Sequence, residues 1–312
     1  MLFSILIPTY NNEKTIARTI ESALNQEYSG DYEIVIVNNA STDATLSVIE
    51  SYEDPKIKVI TNPRFHRVSI RRTVEKSEQL TINDLTSFAI GDYVVFCHSD
   101  DMLMPEALKV LAKKIEERMY PQRYIVWGHS MFMDFANSMQ SYDTMLTYNT
   151  MFSGLLAKKI FLGDGLTPSG TCYSKKIFQD LGYFPVVDGT CDSDWIFGII
   201  AAFNACEFEM LDRILFFRTV SSTYGDSMNA EIRQEMLNKA ALALKYYITE
   251  DQMNEVYALW REYHYFMLDY IFYKPETIEE RKSRYINEIK NRPWSLRKIL
   301  RLISMYMKTI SR

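Results

Sequence analysis

Two adjacent carboxylates, Asp100 and Asp101, follow an apolar segment in the sequence "GDYVVFCHSDD" (91–101). Carboxylate oxygens are the ligands that hard divalent cations prefer, and a cation held there would neutralise the charge of a bound diphosphate. The same acids would also suit a solvated helix N-terminus, because acidic side chains are stabilised there and Pro105 follows shortly after. The dipeptide alone leaves both interpretations open.

Two other polar segments, "PTYNNE" (8–13) and "NNASTD" (38–43), also follow apolar runs and precede helical patterns. The carboxyl ends of parallel strands meet at one edge of a sheet, so we expect the three polar loops to converge. In such a crevice Tyr10 could stack on a nucleobase and Asn39 could hydrogen-bond to its edge. For Asn12 an ordinary turn or cap is the favoured interpretation.

The elements that must position these loops alternate between strands and helices. Apolar runs predict strands over 4–10, 32–39, 56–62 and 91–101. Helical spacing of apolar residues predicts helices over 13–26, from about 43 to 52, and after Pro105. This alternation is typical of a parallel sheet covered by helices on both faces. Further along, strands are predicted at 123–128 and 208–217, with a helix near 194–205.

The end of the chain has a different composition. Glycine is absent from residue 227 onward, and apolar residues keep helical spacing, which predicts a helical appendage. Segment 291–312 carries six basic residues and no acid, with its apolar residues near one helical face. Such a helix would lie on an anionic membrane surface, or it would pack on its own domain or on a second copy in a homo-oligomer. Both alternatives stay open.

Composition excludes several classes of protein. The chain has 312 residues, 47% of them hydrophobic, which excludes a disordered protein. The net charge of -5 argues against a nucleic-acid-binding protein. No apolar run reaches the ~20 residues that span a bilayer, and the start lacks the basic region of a secretory signal. The 4 cysteines form no C-x-x-C pair, which fits a reducing compartment, so we expect a cytoplasmic protein.

The order of motifs resembles the family 2 glycosyltransferases. The resemblance begins with "SILIPTYNNEKTIARTIESALNQ", "YEIVIVNNASTDAT" and "GDYVVFCHSDDMLMPEAL", and continues through "PSGTCYSKKIFQDLGYF" (168–184) and "CDSDWIFGII" (191–200). It implies a GT-A α/β fold, the nucleotide-diphospho-sugar transferase fold, with a mostly parallel central sheet flanked by helices. The catalytic domain would span 1–220 and the helical appendage 221–312.

The resemblance also implies a metal and donor site. Asp101 would ligate Mn²⁺ or Mg²⁺, and Asp100 would contact the metal shell or the ribose. The residues implied in nucleotide-sugar binding are Pro8, Thr9, Tyr10, Glu13, Asn39, Arg72, Asp100, Gly170 and Thr171. Asn39 stands where the family usually has Asp, and an amide both donates and accepts hydrogen bonds, so the nucleobase stays open. Arg72 is preferred over Arg71 as the residue near the diphosphate.

The catalytic base of these inverting enzymes is an acid at the start of a helix. Here the resemblance implies Asp192, preceded by Cys191 in place of the usual Glu, with Asp194 as the later acid. An inverting transfer needs a carboxylate to take the proton of the attacking hydroxyl. The same acids would also cap the helix predicted near 194–205. Among the four histidines, His98 is the one worth testing, because it lies beside the acidic pair.

The implied function is transfer of a sugar from a nucleotide diphosphate sugar to a glycan or lipid-linked hydroxyl, in surface polysaccharide biosynthesis. A basic C-terminal helix on the inner face of the membrane would suit a lipid-linked acceptor. One alternative is a nucleotidyltransferase that makes sugar nucleotides, although "PTYNNEK" lacks the Gly-rich basic loop of those enzymes. Another is a catalytically inactive nucleotide-binding scaffold of the same fold, which Cys191 and Asn39 keep open.

Overall fold

The computed structural model describes nine segments of the chain: residues 1–61, 86–133, 139–142, 152–153, 169–182, 184–185, 193–204, 206–219 and 240–257. For residues 132–133, 139–142, 152–153 and 193–195 it describes the backbone alone. The predicted site residues Arg72 and Asp192 and the basic segment 291–312 lie outside the described residues.

A single mixed sheet forms the centre of the described part of the chain. Its strands are β1 (Phe3–Thr9), β2 (Tyr32–Asn38), β3 (Ile57–Thr61), β4 (Tyr93–Phe96), β5 (Met102–Leu103), β6 (Tyr124–Met133), β7 (Met139–Tyr142), β8 (Phe152–Ser153), β9 (Cys172–Ser174) and β10 (Glu207–Thr219). The helices are α1 (Ile16–Leu24), α2 (Thr45–Glu50), α3 (Ala107–Glu117), α4 (Lys175–Leu181) and α5 (Ser193–Phe203). Residues 240–244 and 250–257 are also helical.

The strand order is β3-β2-β1-β4-β9-β6-β10-β5, with β7 beside β6 and β8 beside β10. β1 pairs in parallel with both β2 and β4, and β2 pairs in parallel with β3. The chain therefore leaves β1 on one side and returns to β4 on the other. Open α/β sheets bind ligands outside the carboxyl ends of the strands at such a reversal. The topology predicts a crevice beyond Thr9 and Phe96.

Hydrophobic side chains cover both faces of the first strands. All residues of β1, β2 and β4 are buried, which explains why these segments read as continuous apolar runs. Ile5 and Ile7 of β1 belong to a cluster with Ile20 of α1 and Leu108 of α3. Leu6 belongs to the cluster on the opposite face. The predicted layered α/β architecture is confirmed.

Aromatic side chains fill the second face. Phe178 of α4 stacks on Phe197 of α5 with ring centroids 5.0 Å apart, and Phe96 meets Phe184 edge to face at 5.6 Å. The same cluster contains Leu244, together with Ala240 and Val256. Part of the segment predicted as an appendage thus packs against the central sheet, and the boundary near residue 220 stays a prediction.

The acidic segment departs from the predicted strand over 91–101. β4 ends at Phe96, and the chain then turns, because the amide of Asp101 donates to the carbonyl of His98 at 2.9 Å. The pairing with β1 stops at Phe96, so the residues that follow are free to leave the sheet. α3 begins at Ala107, two residues after Pro105.

Cys97, Cys172 and Cys206 are free thiols, and the first two are buried. Burial raises the pKa of Cys97 and Cys172, as expected for cysteines that fill a core. Cys191 lies outside the described residues. Among the helices that the structure describes, none combines the length and the apolar content that a bilayer span requires.

A buried acid, Glu33 of β2, joins the amino ends of the first strands. Glu33 is 5% exposed, and its Oε1 accepts hydrogen bonds from Ser4 Oγ at 2.6 Å and Ile90 N at 2.7 Å. Lys58 Nζ lies 2.6 Å from Oε2. Burial alone would raise the pKa of Glu33, but these bonds outweigh it and place the pKa below its ordinary value of 4.5. The network lies at the end of the sheet away from the crevice.

We expect Glu33→Gln to lower the free energy of unfolding at neutral pH by about 1–3 kcal/mol, because the charge-assisted bonds are lost. The wild-type contribution is present above pH 4.5 and lost as the pH falls below it, since the unfolded chain then binds the proton first. Urea unfolding at successive pH values should show a steeper loss of stability in the wild type than in the variant. Equal losses would contradict this account of Glu33.

Candidate active site

The loops after β1, β2 and β4 meet at the carboxyl edge of the sheet, as predicted. Asn12 lies at their junction. Its backbone N–H donates to Thr45 Oγ1 at 2.7 Å, and its side-chain Oδ1 accepts a bond from Ser99 Oγ at 2.8 Å. Oδ1 also accepts a bond from the backbone of Tyr10 at 3.3 Å. Asn12 thus joins the three loops, which agrees with its interpretation as a structural turn residue.

Glu13, predicted to contact the donor, bonds to the neighbouring loop, and its contact with the donor stays a prediction. Its Oε2 accepts a bond from the backbone amide of Ala44 at 2.9 Å, immediately before α2. Its own amide donates to Asp43 Oδ2 at 3.2 Å. Burial opposes the effect, but bonds from Thr45 and Glu13 lower the pKa of Asp43. The structure therefore gives Glu13 and Asp43 a role in holding the first two loops together.

The predicted base-binding residues lie at the ends of β1 and β2. Thr9 is the last residue of β1 and is 3% exposed, and its carbonyl accepts a bond from the backbone amide of Asn39 at 2.9 Å. Asn39 is 4% exposed, whereas Tyr10 is half-buried. Pro8 lies within β1, opposite Val37. The structure thus brings Pro8, Thr9, Tyr10 and Asn39 to one place at the carboxyl edge of the sheet.

Both loops bend through a left-handed residue that is not glycine. Asn11 has a φ of 53° and Ala40 a φ of 52°. This conformation is tolerated by Asn but costs an alanine on the order of 1–2 kcal/mol. Asn11 Oδ1 accepts a bond from the backbone of Thr42 at 2.8 Å, which links the two bends. Strain of this kind is frequent at binding sites, where the surrounding contacts maintain it.

The acidic pair lies directly beyond β4, at the reversal of strand order. His98, Asp100 and Asp101 each offer one ligand atom, and these three atoms lie within 4.8 Å of one another. Asp101 is 5% exposed, and its Oδ1 accepts a bond from the backbone amide of Thr219 at 2.9 Å. Asp100 is half-buried. The two predicted metal-binding acids are therefore together, but in different environments.

Burial and the neighbouring charge of Asp100 raise the pKa of Asp101. Ser169 connects this carboxylate to the other side of the turn, because its Oγ accepts a bond from the backbone of His98 at 2.9 Å and its hydroxyl bonds to Asp101. A buried carboxylate beside a second one is costly in the absence of a cation. The arrangement therefore favours a positively charged ligand.

Gly170 and Thr171, predicted to close around the donor sugar, run alongside the end of β4. The amide of Gly170 donates to the carbonyl of Phe96 at 2.8 Å, and Thr171 is 1% exposed. A Cβ on Gly170, which has a φ of 74°, would lie 2.1 Å from Phe216 Cδ1. Packing against β10 and backbone conformation thus both require glycine at this position.

Three predicted site residues, the catalytic Asp192 and Asp194 and the donor-binding Arg72, are not described in atomic detail. Asp192 and Arg72 lie outside the described residues, and for Asp194 only the backbone within α5 is described. Their roles stay predictions. In contrast, His98 was not among the predicted metal ligands, because isolated histidines are usually structural, although its place beside the acidic pair made it the histidine worth testing. The structure places its ring nitrogen close to both carboxylates.

Comparison with known proteins agrees with this architecture. Residues 4–181 match the sequence profile described as Glycosyl transferase family 2. The poly(ribitol-phosphate) beta-N-acetylglucosaminyltransferase TarS of Staphylococcus aureus is 34% identical over 118 residues, which are 38% of this chain and 19% of TarS. The abequosyltransferase RfbV of Salmonella typhimurium is 32% identical over 119 residues, 38% of this chain and 34% of RfbV. The matched segment is thus a small part of these relatives.

Solved structures resemble the chain over a longer range. The crystal structure of S. aureus TarS 1-349 in complex with UDP-GlcNAc has a TM-score of 0.66 at 23% identity, covering 91% of this chain and 79% of that one. The structure of TarS 1-349 in complex with UDP has a TM-score of 0.64 at 24% identity. This likeness shows the GT-A-like α/β fold. Since the family profile also matches more than half of the residues, the chain belongs to the family 2 glycosyltransferases.

Proposed function

We propose that this glycosyltransferase moves a sugar from a nucleotide diphosphate sugar to a hydroxyl of a glycan or lipid-linked acceptor, with inversion at the anomeric carbon and with a divalent cation. The observation that carries the proposal is the cluster of His98, Asp100 and Asp101 at the reversal of strand order. A crevice at that place is where an open α/β sheet binds a nucleotide. A cation-binding cluster there is suited to a diphosphate.

The residues of the cluster fit a divalent cation. Nε2 of His98 is buried and, among the described residues, has no hydrogen-bond partner. A buried polar atom without a partner is costly unless a ligand supplies one. Two carboxylates with one imidazole suit Mn²⁺, while Mg²⁺ prefers oxygen ligands alone. When bound, the cation would neutralise charge on the departing nucleotide diphosphate.

Different residues of the chain would supply the base, the positive charge and the nucleobase contacts of the reaction. Asp192, or Asp194 as the alternative, takes the proton of the acceptor hydroxyl. The oxygen of that hydroxyl attacks the anomeric carbon at the same time. The bond from that carbon to the diphosphate breaks, and Arg72 would balance part of the charge that the leaving group gains. Tyr10 and Asn39 directly follow β1 and β2, and they would contact the nucleobase.

The names of the relatives support the donor and acceptor classes. Crystal structures of TarS contain UDP or UDP-GlcNAc, which supports a nucleotide-sugar donor for this chain. Its name describes transfer to poly(ribitol-phosphate), and a poly(ribitol-phosphate) beta-glucosyltransferase of Bacillus spizizenii is 36% identical over 110 residues. These matches cover 19% and 16% of the two relatives. They therefore support only a class of acceptor for this chain: a surface polysaccharide or its lipid-linked precursor.

Thermal unfolding with nucleotides tests the proposal. The full chain is heated with UDP, GDP, dTDP or CMP, each with Mn²⁺, with Mg²⁺ or with EDTA. A nucleotide at about 100 times its Kd stabilises the folded state by about 2.7 kcal/mol. For a chain of 312 residues, each kcal/mol raises the Tm by about 1.5 °C, because the unfolding entropy grows with chain length. We expect one nucleoside diphosphate to raise the Tm by about 4 °C with metal, and far less with EDTA.

Inorganic pyrophosphate with Mn²⁺ is the matched control, because it offers the same metal-binding oxygens without a base. A larger shift with one nucleoside diphosphate than with pyrophosphate would identify the nucleobase. If no nucleotide shifts the Tm with either metal, the proposed donor and metal site are wrong.

A further inference from the structure

One face of α1 bonds to the turn that carries the acidic pair. Thr15 Oγ1 donates to the carbonyl of Ser99 at 2.9 Å. Arg18 Nη2 donates to the carbonyl of Asp100 at 3.1 Å, and Thr19 Oγ1 donates to the carbonyl of Asp101 at 2.7 Å. Positions 15, 18 and 19 lie on one face of a helix because residues three and four apart are neighbours there. Thr15, immediately before α1, and Arg18 and Thr19 within it therefore hold three consecutive carbonyls.

The same face continues to bind the chain beyond the acidic pair. Ser22 Oγ accepts a bond from the amide of Leu103 at 3.1 Å, and Gln26 Nε2 donates to the carbonyl of Met104 at 2.9 Å. Gln26 Oε1 also accepts a bond from the amide of Leu108 at 3.1 Å. Bonds from Thr15, before α1, to Gln26, just after it, thus fix the register between this stretch and segment 99–108. The acidic pair lies in the first half of that segment.

Arg18 connects this register to the strand that holds the Asp101 carboxylate. Its Nη2 donates to Thr219 Oγ1 at 2.8 Å as well as to the carbonyl of Asp100. Thr219 Oγ1 also donates to that carbonyl, and the amide of Thr219 donates to Asp101 Oδ1. The backbone of the turn and one of its carboxylates are therefore held by two elements that are far apart in sequence, α1 and the end of β10.

We propose that Thr15, Arg18 and Thr19 are positioning residues that set the geometry of the Asp100–Asp101 pair for a divalent cation and its diphosphate. The inference rests on the proposed function. The three side chains touch the backbone of the turn, and Arg18 also touches Thr219. Residues that orient metal ligands from outside the ligand shell commonly change metal affinity by about 10–100-fold when they are replaced.

Direct titration of the full chain with Mn²⁺, followed by the electron paramagnetic resonance of the free ion, tests the inference without any assay of transfer. Thr19→Val removes the hydroxyl but keeps the branched shape, and Thr19→Ser keeps the hydroxyl. We expect Thr19→Val to raise the Kd for Mn²⁺ by about 10-fold and Thr19→Ser to restore it to nearly the wild-type value. Arg18→Lys keeps the charge but loses the planar double donor, and it should also raise the Kd.

Ser22→Ala is the matched control, because it removes a bond of the same face beyond the acidic pair. It should lower the Tm as Thr19→Val does, but leave the Kd for Mn²⁺ near the wild-type value. If Thr19→Val does not fold, Thr15→Val decides in its place. A wild type that binds Mn²⁺ while the Thr19→Val and Arg18→Lys chains bind it equally well would overturn this inference alone. A wild type that binds no Mn²⁺ would overturn the proposed metal site and this inference together.

Discussion

Replacing Asp192 with Asn is expected to lower kcat by about 10²–10⁴-fold, the usual contribution of a general base. The amide of Asn has nearly the same shape as the carboxylate, but it cannot take the proton of the acceptor hydroxyl. Binding of the sugar donor and of Mn²⁺ should persist, because neither is assigned to Asp192. The measurement is a single-turnover assay of sugar transfer, run beside the nucleotide thermal-shift titration on the same variant.

The variant also separates catalysis from helix capping. Asp192 immediately precedes α5, which begins at Ser193. Asn caps a helix about as well as Asp does, so a residue that only caps should tolerate this change in both stability and activity. Asp194→Asn serves as the paired variant. Full turnover in Asp192→Asn with collapse in Asp194→Asn would move the base to Asp194, while collapse in neither would remove both assignments.

The sequence predicted the architecture well because the strands are buried on both faces. Continuous apolar runs such as "ILI" in β1 and "VIV" in β2 have few alternative structures in a chain whose helices alternate with strands. Once the strands are parallel, their carboxyl ends must meet at one edge, so the convergence of the three polar loops followed from topology. The residue-level contacts within that edge did not follow in the same way.

Those contacts depend on residues that are distant in sequence. Asp101 and Asp100 look equivalent in the chain, yet only Asp101 is buried, because Thr219 binds its carboxylate across 118 residues. The carboxylate of Glu13 accepts a bond from the backbone amide of Ala44, just before α2 and 31 residues away, which no local pattern indicates. Helical periodicity predicted α1 over 13–26, whereas the helix spans Ile16–Leu24, because a turn that begins at Asn12 precedes it. Local patterns carry no signal for such pairings.

Removing either acid of the pair is expected to weaken Mn²⁺ binding strongly, and with it the metal-dependent binding of the nucleotide, while neither Asn variant should lose stability. Asp100→Asn removes a half-buried carboxylate that is proposed to hold the cation, so the Kd for Mn²⁺ should rise by at least about 100-fold, beyond the usual effect of residues outside the ligand shell. The Tm of the metal-free chain should change little, because Asp100 holds the turn through its backbone carbonyl. Isothermal titration with Mn²⁺ and thermal unfolding with EDTA measure the two effects.

Asp101→Asn should also weaken Mn²⁺ binding strongly, but the Tm with EDTA should be at least that of the wild type. The substitution removes a buried charge that lies beside Asp100, and the Asn oxygen can still accept the bond from Thr219. Asp101→Ala leaves the Thr219 amide without that acceptor, so its free energy of unfolding should fall by about 1–3 kcal/mol. Glu33→Gln, at the far end of the sheet, is the control that loses stability and keeps Mn²⁺ binding. If Asp101→Asn binds Mn²⁺ as the wild type does, the buried acid only anchors the turn, and His98 and Asp100 would have to hold the cation without it.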